Sequence, residues 1–125
     1  MAKKKTTPKK AAKPKAKPQD PMTFTEDKLR TMSYRQLTRH MIQVTKNAQM
    51  EGACMDTCVD QIRMSISVLV SLCGPQLIGT SLRALRHSVT MLYQHINAAK
   101  KHPYRASAAN VEANRIDEML NDTLG

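Results

Sequence analysis

Eight lysines fall within the first twenty residues: Lys3, Lys4, Lys5, Lys9, Lys10, Lys13, Lys15 and Lys17. They stand against a single acid, Asp20, a net of +7. A lysine ammonium is a compact, strongly hydrated point charge on a flexible stem. A run of them suits a polyanion better than one small ligand. DNA or RNA meets that chemistry, because neutralising its phosphates releases condensed counterions and gives salt-dependent affinity without sequence selectivity. The first twenty residues hold no aromatic ring for base stacking and no arginine for bidentate guanine contacts. They are therefore fitted to grip backbone and not to read bases. Blander uses compete: a solubilising tail, a localisation signal such as KKK or PKKAAKPK, or adhesion to an anionic membrane surface. The membrane reading is disfavoured because no glycine follows Met1 to accept a lipid.

A second set of polar and basic residues is spaced at helical intervals. Arg83, Arg86, His87, Thr90 and Gln94 fall on one side of a predicted helix, largely opposite its apolar stripe, and Arg35, Arg39 and Lys46 do the same earlier in the chain. Arg83 and Arg86 join the eight lysines as candidate phosphate contacts. The competing reading is an ordinary solvated helix face. The acids Asp56, Asp60, Asp117, Glu118 and Asp122 are alternative partners for these cations within an oligomer. No helix-turn-helix stands out, so sequence-specific DNA reading is not expected.

Cys54 and Cys58 are four residues apart, on one face of a helix. A soft metal or a redox pair uses such spacing, but a tetrahedral site needs two more ligands and none lies nearby in a known pattern. Two small core residues is the favoured reading. His40, His87, His95 and His102 are scattered. Three cysteines imply no disulfide framework and fit free thiols in a reducing compartment. No Gly-rich phosphate loop, G-x-S-x-G or H-E-x-x-H occurs. The chain is expected to be no enzyme and to need no cofactor or metal.

These residues must be positioned by elements that the pattern also predicts. Residues 1–21 are low-complexity Lys/Pro/Ala sequence whose like charges repel and which has nothing to bury, so a disordered basic arm is expected. Residues 22–125 form the predicted body. A short turn or helix is expected over 25–31, behind Thr25 and with Glu26 and Asp27 in its first turn. Ser33 and Gln36 have capping-box spacing for the main helix. From Tyr34 an apolar stripe runs through Leu37, Met41, Val44 and Ala48, and extends through Met55, Cys58, Ile62, Leu69 and Leu72, with Glu51 and Ser65 as defects. One bent helix over 33–73 is slightly preferred to two antiparallel helices turning near Gly52. Over 62–73 apolar residues occupy more than one face, which predicts a central helix or one covered by a second subunit. Gly74-Pro75 reads as a stop and restart, succeeded by a helix over 75–101 with the stripe Ile78, Leu82, Leu85, Val89, Leu92, Ile96 and Ala99. Pro103 ends it, and Ser107 is expected to cap a last helix to Leu124.

The fold class expected is therefore all-α: a helical bundle with long amphipathic helices and a disordered N-terminal arm. Its core must be aliphatic, since aromatic residues make up 3% of the chain and methionines number nine. Outside the first twenty residues, twelve basic and nine acidic residues leave only +3. The most apolar run, Ile62 to Ile78, is interrupted too often for a membrane span. No signal peptide is expected, and localisation is expected to be intracellular, in cytoplasm, nucleoid or nucleus, or in a virion. The expected function is non-catalytic nucleic-acid binding of an architectural or packaging kind, through backbone contacts to DNA or RNA, with a homo-oligomeric body multiplying the arms. The arm resembles in composition the Lys/Ala/Pro tails of histone-like proteins and of some viral packaging and capsid proteins. That likeness covers about a sixth of the chain and carries over no residue. The alternative is a structural or scaffolding subunit of a virion or intracellular assembly, whose arm only anchors or solubilises.

Overall fold

The protein is described by a computed structural model that covers residues 23–125. The predicted arm over 1–21, with its eight lysines, lies outside the described residues. The described chain folds into five α-helices: α1 (Glu26–Arg30), α2 (Tyr34–Ala48), α3 (Met55–Cys73), α4 (Gly79–Ala98) and α5 (Arg105–Leu124). Among the described residues there is no strand, so the all-α expectation holds.

Local chemistry sets the first two helices. Thr25 caps α1 by accepting from the Lys28 amide at 3.2 Å, and Glu26 and Asp27 sit at the positive end of the helix dipole. Ser33 and Gln36 form the predicted capping box: the Gln36 amide donates to Ser33 Oγ at 3.3 Å, and the Ser33 amide donates to Gln36 Oε1 at 2.9 Å. Two of the orphan donors at the start of α2 are thus satisfied reciprocally.

Helices α2 to α5 make a four-helix bundle in which each packs on the next and α5 closes back onto α2. The connections are short, so the chain reverses at each one and neighbours run antiparallel. The cross-helix bonds agree. Thr38 and Thr45 of α2 meet Asp117 and Asn110 of α5 in reversed order, at 2.7 and 3.0 Å. The core is aliphatic, as composition required: Leu37, Met41, Ile62, Leu69, Leu85, Leu92, Ile96, Ile116 and Leu120 are fully buried. Ala106, Ala109 and Ala113 are also fully buried, and their small side chains let α5 lie close against its neighbours. Helix α3 is central, touched by α1, α2 and α4, which explains apolar residues on more than one of its faces.

The structure corrects four sequence expectations. The single helix over 33–73 is not formed. The chain turns between Ala48 and Met55, and Gly52 takes φ +83°, a left-handed conformation that glycine adopts at little cost. The stripe looks continuous because α2 and α3 both present an apolar face to one core, and the intervening segment happens to preserve the phase. At Gly74-Pro75 the stop is real, but the restart is a single 3-10 turn over Gly74–Gln76, and α4 begins only at Gly79. Ile78 therefore precedes the helix as its cap residue and stands 83% exposed, where the stripe placed it in the core. Cys54, read as a core residue, is exposed as the cap residue of α3, whereas Cys58 is buried. Finally, α5 starts at Arg105 rather than after Ser107, whose hydroxyl donates back to the Tyr104 carbonyl. Among the described residues no helix is long and apolar enough to cross a membrane.

Candidate nucleic-acid interface

Helix α4 has two faces of opposite character. Leu85, Ser88, Val89, Leu92 and Ile96 are buried, while Arg83, Arg86, His87, Thr90 and Gln94 are all exposed. That outer face is the one helical spacing selected. Its charge is uncompensated. Among the described residues the ion pairs are Arg30–Glu26, Arg63–Asp60, Lys100–Asp56 and Arg115–Glu112, and none involves Arg83 or Arg86. The Arg83 guanidinium makes a long hydrogen bond to Thr80 Oγ1 at 3.4 Å and otherwise faces outward. The cause lies in the sequence: no Asp or Glu occurs between Asp60 and Glu112. Net charge alone hides this gap, although the order of residues records it.

The cationic surface continues past the end of α4. Lys101 and His102 are exposed in the α4–α5 turn, and they line a shallow concavity of about 420 Å³ with Asn97, Ala98 and Lys100. Lys100 reaches across to Asp56 of α3 at 3.0 Å, and that partner holds its ammonium above the ordinary lysine pKa by a hydrogen bond and by charge attraction. The Arg105 guanidinium donates to His95 Nδ1 at 3.0 Å, which ties the start of α5 to α4. On α2, Arg35, Arg39 and Lys46 are exposed as expected, with the Arg35 guanidinium 5.9 Å from the centre of the Tyr34 ring. No family model, curated protein or solved structure matches this chain. The reading of the surface therefore rests on its chemistry alone.

The other candidates are placed elsewhere. Asp117, one of the acids assigned to pairing within an oligomer, accepts from Thr38 inside the chain at 2.7 Å. Asp56 and Asp60 meet Lys100 and Arg63 of the same chain. Cys54 and Cys58 do not share an environment. The Thr57 hydroxyl and amide lower the Cys54 thiol below its usual range, while burial pushes Cys58 up to about 11. Among the described residues no three His, Cys, Asp or Glu side chains are grouped to hold a metal.

The feature that sequence reasoning missed is the mooring of the chain where the arm begins. Gln61 of α3 holds the backbone of Phe24 at both ends: its Oε1 accepts from the Phe24 amide at 3.2 Å, and its Nε2 donates to the Phe24 carbonyl at 2.8 Å. A backbone amide only donates and a carbonyl only accepts, so this pairing fixes which end of the Gln61 amide is oxygen. His40 Nε2 lies 2.8 Å from that same oxygen and must therefore carry the proton. The Phe24 ring packs on the imidazole with centroids 4.8 Å apart. Burial lowers the His40 pKa, opposed by its bond to Gln61. No local periodicity encodes a bond between residues 37 apart, which is why this clamp was invisible.

Proposed function

We propose that the protein is a non-catalytic nucleic-acid-binding protein of architectural or packaging type. Its arm lysines, Lys3 to Lys17, neutralise phosphates, and the bundle carries the arm and adds the outer face of α4, with Arg83 and Arg86, as a second, weaker contact. The observation that supports this most is the separation of charge. The first twenty residues carry +7, and the body's longest acid-free stretch, 61–111, includes an exposed basic helix face. A solvated face that served solubility alone gains nothing from excluding one sign of charge, whereas a surface for a polyanion does.

The test is a salt titration of binding to random-sequence duplex with full-length and arm-deleted protein. Full-length protein should bind with log K falling against log salt with a slope steeper than about −4, and removing residues 2–20 should take away most of the affinity. Circular dichroism should keep the helical signal. Undiminished affinity without the arm, or a flat salt dependence, rejects the proposal.

A structural or scaffolding role draws on one observation of its own. Ile78 at 83% and Leu72 at 40% exposure leave apolar surface at the α3–α4 turn, a place for self-association or for a neighbour in an assembly. Light scattering on Ile78→Ser beside the parent protein tests it: assembly that survives the change places the contact elsewhere.

A further inference from the structure

The chain is poor in aromatic residues, with three tyrosines and one phenylalanine, yet it places only two of the four against its core. Phe24 and Tyr34 are partly covered, while Tyr93 and Tyr104 are exposed, Tyr104 at 72%. Tyr104 stands in the α4–α5 turn as the residue before α5, and its side chain supplies no cap to the helix. Its ring neighbour is His102, with centroids 5.8 Å apart and planes tilted at 47°, so most of the phenol remains open to solvent. The concavity formed with Lys101 and His102 begins two residues away, within the acid-free stretch. Asp56 reaches this region to pair with Lys100, and no carboxylate pairs with Lys101 among the described residues. An open ring beside an unpaired lysine is a surface on which an unpaired base stacks while a neighbouring phosphate meets the ammonium group. A duplex, whose bases are already stacked on one another, makes no use of the ring.

We infer that the α4–α5 turn is a single-strand binding site, with a base stacked on Tyr104 and an adjoining phosphate held by Lys101. This deepens the proposed function and rests on it: the arm and α4 grip backbone of any kind, and the turn prefers strands whose bases are free. The flat ring and the absence of a hydrogen-bonding cradle around it make the preference one for unpaired bases and not for a particular base.

The experiment uses full-length protein and two probes, oligo-dT and a random-sequence duplex of equal phosphate number. Tyr104→Ala should weaken oligo-dT binding by about five- to a hundredfold, the range set by loss of one stacked base, and leave duplex binding within twofold. Tyr104→Phe should keep the parent affinity, because stacking needs the ring and not the hydroxyl. Lys101→Ala should lower the salt slope for oligo-dT by about 0.7. The inference is overturned if Tyr104→Ala binds oligo-dT as the parent does, if Tyr104→Phe is as weak as Tyr104→Ala, or if duplex binding falls equally. Loss of both probes in the parent protein at low salt is a different outcome, and it removes the proposed function together with this site.

Discussion

Helices α2 and α4 are both amphipathic, but they use their polar residues in opposite ways. On α2, Thr38, His40 and Thr45 are buried, and each finds a partner on another helix: Asp117, Gln61 and Asn110. On α4, Arg83, Arg86, His87, Thr90 and Gln94 point outward, and no carboxylate meets them among the described residues. Buried hydrogen bonds fix which helix lies beside α2 and in what register, since a mispaired arrangement would strand these groups away from water. Outward polar groups that meet no other helix do nothing to fix the fold. The contrast separates residues that hold the architecture from residues the fold leaves unused.

This contrast can be broken by substitution. Gln61→Leu removes the partner of His40 and of both Phe24 backbone groups, and should cost about 2 kcal/mol of stability in urea unfolding, with nucleic-acid affinity unchanged in the folded protein. Thr38→Val deprives Asp117 of its hydroxyl donor and should cost about 1 kcal/mol by the same measurement. A smaller effect is expected from acid. Burial lowers the His40 pKa beneath its ordinary 6.5, so below that value the unfolded chain binds more protons than the folded one. Stability should therefore fall as pH drops from 6.5 through the folded-state value and be fully present above 6.5. His40→Gln should flatten that part of the pH profile of the melting temperature. The least stability change belongs to the paired substitution Arg83→Ala and Arg86→Ala, within about 0.5 kcal/mol. The same variant should lower the salt slope for duplex binding by about 2, which is the outcome that distinguishes a ligand face from a merely solvated one.

Much of the architecture was legible because it is local. The caps at Thr25 and Ser33, the apolar stripes of α2 and α4, and the stop after Cys73 each depend on residues within one helical turn of one another. The outer face of α4 was legible for the same reason. What escaped was non-local or small. The turn at Gly52 was hidden because two helices facing one core share a stripe, so periodicity alone could not reveal the reversal. Ile78 was misplaced because one 3-10 turn shifts the start of α4 by four residues, from the expected Pro75 to Gly79, and with it the face on which that residue falls. The clamp of Gln61 on Phe24 and the crowding of Tyr104, His102 and Lys101 at one corner depend on where the chain reverses, which no spacing rule records.

The clamp has a mechanical consequence. The described chain is tied almost at its first residue to the flank of α3, through the Phe24 backbone. Any pull on the chain ahead of Phe24 would reach the bundle first at Gln61, where two bonds at 3.2 and 2.8 Å resist together. Tension then spreads into the central helix of the body and does not unravel α1 from its free end.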